Sequence, residues 1–337
     1  MEKKALKFDS SFFINNAIYI ILLVLLLIIG LVDMSFFNLS NLSAIITQSC
    51  TRTIFALGVA GIIVLGGTDL SAGRLIGLAA VVCCSMLQSP DYARRVFVNM
   101  PQIPVFVPIL LSMVICALFS FLHCLTVNIW GVAPFIASLG FQEIAYGFCS
   151  LYYRIIVNST PIAGLDERLK SLTSNLIVIN GVPVSKLIMF ALIVSIIVWI
   201  IWNKMTLGQN MFAIGGNKEA AKVCGVNIVL NSSIIYIIAG LLYGLGGALE
   251  GARTGSATNA LGATYAMDAI AACVAGGVSM RGGTGTVSGV IIGVIVFQVI
   301  NYGLIFIGMS PDIQYIVKGA IIIVAVAIDA RKYRTVI

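Results

Sequence analysis

The chain has 337 residues, of which 60% are hydrophobic and only 10% are charged, and its mean hydropathy is +1.06. Such a composition leaves too little polar surface to cover a soluble globule, so the lipid bilayer is its predicted solvent. The net charge of +7 does not indicate nucleic-acid binding, because the Lys and Arg residues are scattered between apolar runs and form no basic stripe.

The apolar runs are long enough to cross a bilayer as α-helices. Backbone polar groups in hydrocarbon must be hydrogen-bonded internally, and the short alternating segments of a β-barrel are absent from the sequence. The predicted fold is an all-α polytopic membrane protein, with one transmembrane domain over residues 1–337. Windows of roughly 20 apolar residues predict ten spans: Phe12–Val32, Ala44–Leu65, Leu70–Leu87, Val105–Val127, Ala133–Tyr153, Val184–Trp202, Ser232–Glu250, Thr264–Ser279, Thr286–Ile307 and Ile313–Ile328.

An even number of spans puts both termini on one side of the membrane. By the positive-inside rule this side is predicted to be the cytoplasm, because both ends are basic. With Arg74 counted as inside, the termini and loops carry eleven Lys and Arg residues inside and six outside, and the other three lie in or at the edge of spans. The basic residues at the two ends are Lys3, Lys4, Lys7, Arg331, Lys332 and Arg334. No small-residue cleavage site follows the first span, so it is predicted to be retained.

Eight cysteines and a single histidine raise the question of a disulfide, metal or catalytic site. The cysteines lie mostly inside apolar runs and no CxxC pair occurs, so they are predicted to be small buried side chains. His123 lies in an apolar run as well, which favours core packing over a metal or catalytic role. We therefore expect no metal site and no catalytic residue in this chain.

Glycines mark two similar segments far apart in the sequence. Gly66–Gly73 (GGTDLSAG) resembles Gly282–Gly289 (GGTGTVSG), which hints at an internal duplication. Neither segment has the Lys of a phosphate-binding GxxxxGK[ST] loop, so both are interpreted as tight turns. The first of them lies between the second and third spans, where the recurring glycines also allow a discontinuous helix.

The loop between the sixth and seventh spans, about residues 203–230, is predicted to contain a short helix outside the membrane. Asn217 is a favourable N-cap, and Glu219 in the first turn complements the helix dipole. Ala220 and Ala221 favour helix, and Gly225 is suited to the position that ends it. The helix is either a rigid knob that docks into a cytoplasmic partner or an ordinary amphipathic loop helix, and its residues alone leave both interpretations open.

Four segments resemble the ribose/galactose-type permeases of ABC importers: Gly67–Arg74 (GTDLSAGR), Ala213–Lys222 (AIGGNKEAAK), Gly255–Gly262 (GSATNALG) and Asp268–Gly277 (DAIAACVAGG). The resemblance extends over essentially the whole chain. It is closest to the galactose/methyl-galactoside branch of the family, which four further segments also fit: Ile45–Gln48, Phe55–Gly61, Ile300–Gly303 and Tyr315–Ile321.

The resemblance implies the helical bundle of an ABC importer permease, which moves a monosaccharide across the bacterial cytoplasmic membrane by alternating access. Galactose, glucose or methyl-galactoside are the implied solutes. The implied partners are a second copy of the chain, membrane lipid, a periplasmic sugar-binding protein, and a tandem-cassette ATPase that binds ATP and Mg. No cofactor is expected in this chain. The segment from Gly215 and Gly216 through Asn217 to Gly225 then corresponds to the coupling helix that sits in the ATPase.

Ionisable residues within spans are functional candidates, because a charge in the membrane is costly. They are Arg52, Glu143, Glu250, Asp268 and Lys318, with Asp69 and Arg74 near a span boundary. Polar residues of the ninth span could also bond a sugar hydroxyl; they are Gln298, Asn301 and Tyr302. Pairing between helices and lining of a watery path both remain open for these side chains.

Three rival functions are weighed against the sugar permease. A permease of the same family could carry ribose, xylose, a signalling furanose or a nucleoside. A secondary transporter or channel would work without an ATPase. A membrane-embedded enzyme is disfavoured, because the sequence shows no paired carboxylates, HExxH motif or nucleophile constellation.

Overall fold

The computed structural model describes residues 17–179 and 182–332, so the start of the predicted first span and the basic residues Lys3, Lys4, Lys7 and Arg334 lie outside the described residues. The described chain is mostly helical. Its helices are α1 (Ala17–Val32), α2 (Leu39–Val64), α3 (Ala72–Met86), α4 (Phe106–Asn128), α5 (Pro134–Ile155), α6 (Glu167–Lys170), α7 (Leu187–Lys204), α8 (Thr206–Gly216), α9 (Lys218–Val223), α10 (Ile228–Thr254), α11 (Tyr265–Ala275), α12 (Val287–Phe306) and α13 (Pro311–Lys332).

Each of the ten predicted spans overlaps one helix of the described chain. Five of these helices are long and apolar enough to cross a membrane, namely α2, α4, α7, α10 and α12. Helix α11 has only 11 residues. At a rise of about 1.5 Å per residue it covers roughly half of a hydrocarbon core about 30 Å thick. The prediction of an all-α membrane protein is confirmed, whereas the count of ten crossings stays a prediction.

Helix α2 lies at the centre of the bundle, and nearly all of its residues from Ser49 to Val64 are buried. Helix α10 packs closely against its neighbours through glycines. A Cβ atom on Gly244 would overlap the backbone of Met113 in α4, and one on Gly247 would overlap the backbone of Ile76 in α3. Small residues let helix backbones approach this closely in membranes, where dispersion contacts replace the hydrophobic effect between helices.

The loop between α5 and α7 contains structure that the hydropathy windows did not predict. An antiparallel hairpin is formed by β1 (Asn175–Ile179) and β2 (Val182–Ser185). The short helix α6 begins after Asp166, whose carboxylate accepts hydrogen bonds from the Arg168 backbone N–H at 2.8 Å and from its guanidinium. The Arg168 hydrogen bonds lower the pKa of the Asp166 carboxyl from its usual value.

The loops gather at two opposite ends of the bundle. At one end the Asp166 N–H donates to the Leu87 carbonyl at 2.9 Å, which joins the loops after α3 and α5. At the other end the Gly283 N–H donates to the Val64 carbonyl at 2.8 Å, which joins the loops before α12 and after α2. This division is the one expected when consecutive helices run in opposite directions through the bundle.

Candidate functional site

Helix α9 is the short helix predicted in the loop between α7 and α10. The Asn217 side-chain oxygen accepts a hydrogen bond from the Ala220 N–H at 2.9 Å, and Glu219 lies in the first turn. Asn217 satisfies a backbone donor that the helix itself leaves unpaired, and the Glu219 charge opposes the helix dipole. The predicted N-terminal cap is therefore present.

The C-terminal end of α9 is closed by Gly225. Its φ of +82° lies in the left-handed region, and its N–H donates to the Lys222 carbonyl at 3.0 Å. The next N–H, that of Val226, donates to the Ala221 carbonyl at 3.0 Å. These two hydrogen bonds define a Schellman motif, in which glycine is favoured because it has no Cβ to clash.

The outer surface of α9 carries an apolar side chain that the sequence analysis did not single out. Val223 is 88% exposed, whereas Ala221 is only 4% exposed and packs inward. Ala220 is exposed one turn before Val223, so the two share a face of the helix. The i, i+3 spacing of these apolar residues was the signal available in the sequence. The coupling role of this surface stays a prediction.

Gly215 and Gly216, predicted as part of the coupling segment, end helix α8. They differ in the space that is available to a side chain. A Cβ atom on Gly215 would overlap the Val64 carbonyl oxygen and lie 2.6 Å from the Gly283 nitrogen. No heavy atom of the described chain lies within 4 Å of a Cβ built on Gly216. Gly215 thus faces the protein interior, while Gly216 faces open space.

A buried carboxylate, Glu250, joins three helices near the centre of the bundle. It is fully buried on α10 and accepts hydrogen bonds from Thr51 of α2 at 2.7 Å and from the Tyr265 hydroxyl of α11 at 2.9 Å. The Arg253 guanidinium donates two more, at 2.8 and 2.9 Å. Four donors satisfy both carboxylate oxygens, and Arg253 balances the charge. The sequence analysis did not single out Arg253, although its i, i+3 spacing from Glu250 was the available signal.

A second polar cluster adjoins the first one. The Arg52 guanidinium lies 3.4 Å from the Asp268 carboxylate and 4.3 Å from the centre of the Tyr265 ring. On the neighbouring helix α12, the Gln298 amide donates to the Gln48 side chain of α2 at 2.7 Å. Helices α2, α11 and α12 therefore meet through polar side chains.

These side chains surround a narrow cavity. It is lined by Arg52, Asp268, Gln298 and Asn301 together with six apolar residues of α2, α11 and α12, and its volume is about 10 Å³, room for about one water molecule. Within the described chain, Arg52 Nε, Gln298 Oε1 and Asn301 Oδ1 are buried without a hydrogen-bond partner. Apolar side chains face this space, so the unpaired polar atoms would reach a hydroxylated solute only after the helices moved.

The other predicted path residues lie elsewhere. The Tyr302 hydroxyl donates to Asn41 at 2.9 Å, and Glu143 lies on an exposed face of α5. Asp69 lies in the turn between α2 and α3. The structure therefore brings Asp268, Gln298 and Asn301 together, and leaves Asp69, Glu143 and Tyr302 apart from them.

Asp69 lies beside the single histidine. Its carboxylate accepts the Ser71 N–H at 2.9 Å, and its Oδ1 is 3.7 Å from His123 Nδ1, with both side chains fully buried. The His123 ring stacks on Phe141 of α5 and meets Tyr236 of α10 edge-on. Core packing of His123 is thus observed, with a carboxylate as an additional neighbour.

Metal-binding side chains are not clustered among residues 17–179 and 182–332, where no group of three or more His, Cys, Asp or Glu that could hold a metal ion occurs. The cysteines are buried as predicted, with the exception of Cys224, which is exposed at the end of α9. Cys224 differs because it lies in a loop rather than in an apolar run.

Comparison with known proteins agrees with this architecture. Residues 41–326 match the family described as "Branched-chain amino acid transport system / permease component". The chain is 53% identical to the galactose/methyl galactoside import permease protein of Haemophilus influenzae and 52% identical to that of Escherichia coli, over 95% of each chain. It is 30% identical to the ribose import permease protein of Bacillus subtilis, over 92% of this chain and 91% of that one. No solved structure matches.

The family predicted from the four sequence segments is confirmed by these matches. They cover nearly the whole chain, including the helices that carry both polar clusters and the loop that carries α9. The chain therefore belongs to this permease family and is an integral membrane permease component.

Proposed function

We propose that this chain is the membrane-spanning permease subunit of an ATP-driven importer for galactose and methyl galactosides. The observation that carries the proposal is the identity of 52–53% to galactose/methyl galactoside import permeases over 95% of the chain, against 30% to a ribose import permease. The solute is uncharged and rich in hydroxyl groups, so it requires a protein path across a hydrocarbon core about 30 Å thick.

Energy is supplied by a partner, because the chain has no GxxxxGK[ST] phosphate-binding loop. The partner is a cytoplasmic ATPase with tandem nucleotide-binding cassettes, which binds ATP and Mg. A periplasmic sugar-binding protein delivers the solute, and two copies of this chain form the path between them. Solute preference follows the binding protein, because tight binding inside the permease would slow release.

Helix α9 is the contact with the ATPase. Three features support this role: caps at both ends, the exposed side chains of Ala220 and Val223, and the link through Asn217 to the end of α8, which contacts the segments after α2 and before α12. A helix of six residues is marginal by itself. A groove in the partner would supply the packing that it lacks.

Both termini and α9 lie in the cytoplasm in this proposal. The excess of Lys and Arg on that side supports the orientation. Movement of α9 then shifts α2 and α12 against α11, and the solute hydroxyls meet the polar atoms of Gln298 and Asn301 that have no partner in the closed cavity.

The test is uptake by proteoliposomes that contain this chain, its ATPase and its binding protein. We expect ATP-dependent uptake of labelled galactose that excess methyl galactoside abolishes and excess ribose, xylose or leucine leaves intact. Competition by ribose or leucine instead would assign a different solute within the family. Uptake by vesicles that contain the chain alone would show a transporter that needs no ATPase, and would overturn the proposal.

A further inference from the structure

Three backbone segments meet where α8 ends. They are the end of α8 at Gly215, the end of α2 with the turn that follows it, Val64 to Gly66, and the pair Gly282 and Gly283 before α12. We call this contact the glycine junction. The two similar glycine segments of the sequence supply two of its three parts, although 216 residues separate Gly66 from Gly282.

The backbones in the glycine junction contact each other directly. The Gly283 N–H donates to the Val64 carbonyl at 2.8 Å. A Cβ on Gly282 would lie 2.7 Å from the Gly215 carbonyl oxygen and 2.9 Å from the Gly66 Cα. A Cβ on Gly215 would overlap the Val64 carbonyl. No side chain can be inserted at these contacts without moving a backbone segment.

Glycine is required here by conformation as well as by space. The φ angles of Gly66, Gly282 and Gly283 are +83°, +86° and +71°, in the left-handed region that other residues rarely adopt. Because no flexible side chain separates the segments, a displacement of α8 passes to the other two segments without being absorbed by rotamer changes.

The glycine junction connects two places with proposed roles. On one side, Asn217 follows directly after α8 and caps α9, so α8 and α9 are joined by a single residue. On the other side are α2 and α12, which carry Arg52, Gln298 and Asn301 of the narrow cavity. From Val64 to Arg52 the distance along α2 is about 18 Å at 1.5 Å per residue.

We propose that Gly215 is a positioning residue, and that the glycine junction carries movement of α9 to α2 and α12 and so opens the cavity. Gly215 faces the interior of the permease, so its role is separate from contact with the ATPase. The proposal rests on the proposed function, because it assigns the route by which ATP hydrolysis reaches the solute path.

The test compares Gly215→Ala with Gly140→Ala in the complex with ATPase and binding protein. Both changes add one methyl group to a helical glycine and favour helix equally. Only the first meets a backbone, since no heavy atom of the described chain lies within 4 Å of a Cβ built on Gly140 of α5. We expect G215A to assemble with the ATPase and hydrolyse ATP, while sugar taken up per ATP falls about tenfold or more because overpacking displaces the junction. We expect G140A to stay within about twofold of the unmodified protein.

Equal transport per ATP in the two variants would overturn the proposal, as would an equal loss in both. Failure of the unmodified complex to transport galactose with ATP would instead contradict the proposed function, so the two failures are distinguishable. A purely structural role of Gly215 predicts less assembled complex with unchanged uptake per ATP, which also overturns the proposal.

A second measurement uses the unmodified complex in case G215A does not assemble. Hydrogen–deuterium exchange is followed in the peptide that contains Gly283, whose N–H is bonded to Val64. We expect protection both without nucleotide and with a non-hydrolysable ATP analogue, because the junction moves as one body. Loss of protection in one state would show that the junction separates during the cycle, which contradicts the proposal.

Discussion

Arg52 and Asp268 form an ion pair across the centre of the bundle, 3.4 Å apart in space and 216 residues apart in the chain. The pair joins α2 to α11, and the Arg52 guanidinium also lies over the Tyr265 ring. The stability lost when one of the two charges is removed depends on the groups that surround the other charge.

We expect Asp268→Asn to destabilise the protein by about 2–4 kcal/mol, because breaking a buried ion pair leaves the other charge without its counter-ion. Arg52→Gln should also destabilise the protein, because it leaves the Asp268 carboxylate without its counter-ion. The double variant should lose less stability than the two single variants lose when their losses are added together. A double-mutant cycle of thermal unfolding in detergent measures the coupling, and additive effects would show that the pair contributes nothing.

Asn301→Leu should change stability and transport in opposite directions. Asn301 Oδ1 is buried without a hydrogen bond in the described chain, so an apolar replacement of similar shape should raise stability by about 1 kcal/mol. Galactose uptake should fall several-fold if this side chain meets the solute. Uptake at the unmodified level would remove Asn301 from the path.

The adjacent residue provides a matched control for Asn301. The Tyr302 hydroxyl donates to Asn41, away from the narrow cavity. Tyr302→Phe should lower stability by about 1 kcal/mol through the lost hydrogen bond and leave uptake unchanged. A larger loss of uptake in Tyr302→Phe than in Asn301→Leu would reverse our assignment of the two residues.

Gly225→Val should abolish ATP-dependent uptake while membrane insertion and capture of sugar by the binding protein remain. A β-branched residue at a φ of +82° costs about 1–2 kcal/mol and opens the end of α9. Gly225→Asn is the milder control, since Asn tolerates this conformation. Transport and ATPase stimulation are measured side by side, and normal transport by Gly225→Val would mean that this loop is only a connector.

A charge on the exposed face of α9 should have the same effect as strain at its end. Ala220→Glu places a carboxylate on that face without disturbing the packing of α9. The buried Ala221 is less informative, because a charge there would disrupt the helix as well. Co-purification of the ATPase with Ala220→Glu at the unmodified level would argue against docking through this face.

Cys224 allows the orientation of the chain to be tested without adding a tag. It is exposed, whereas the other seven cysteines are buried. A membrane-impermeant maleimide should label one thiol in inverted vesicles and none in intact cells, and bound ATPase should slow the reaction. Cys224→Ser should remove the signal. Labelling in intact cells would place α9 in the periplasm and contradict the proposed topology.

The Asp166 carboxylate in the loop between α5 and α7 should stabilise the protein in a pH-dependent way. The Arg168 hydrogen bonds lower the pKa of Asp166 in the folded state, so its contribution is present above the unfolded pKa and is lost as the pH falls through the folded pKa. The difference in melting temperature between the unmodified protein and Asp166→Asn should be largest at pH 7 and should shrink below about pH 4. A constant difference across this range would show that the charge of Asp166 does not contribute.

Local sequence patterns predict the positions of the apolar helices and the caps of α9. Each predicted span depends on a run of neighbouring apolar residues, and the caps of α9 depend on Asn217 and Gly225 within the same short segment. Local sequence suffices for these features because the hydrogen bonds that make them are local. The hairpin between β1 and β2 was missed, since windows of about 20 residues average over strands this short.

The contacts between side chains inside the bundle depend on how the helices pack and are not predicted by local sequence. Arg52 could have paired with any carboxylate of the spans, and nothing near Gly215 in the sequence predicts that it contacts Val64 and Gly283. Helices that are apolar on all sides have no face that the sequence marks as inner, and lipid is as apolar as the core. The rotation of each helix is therefore set by close packing at glycines and by the few buried charges, which act between residues far apart in the chain.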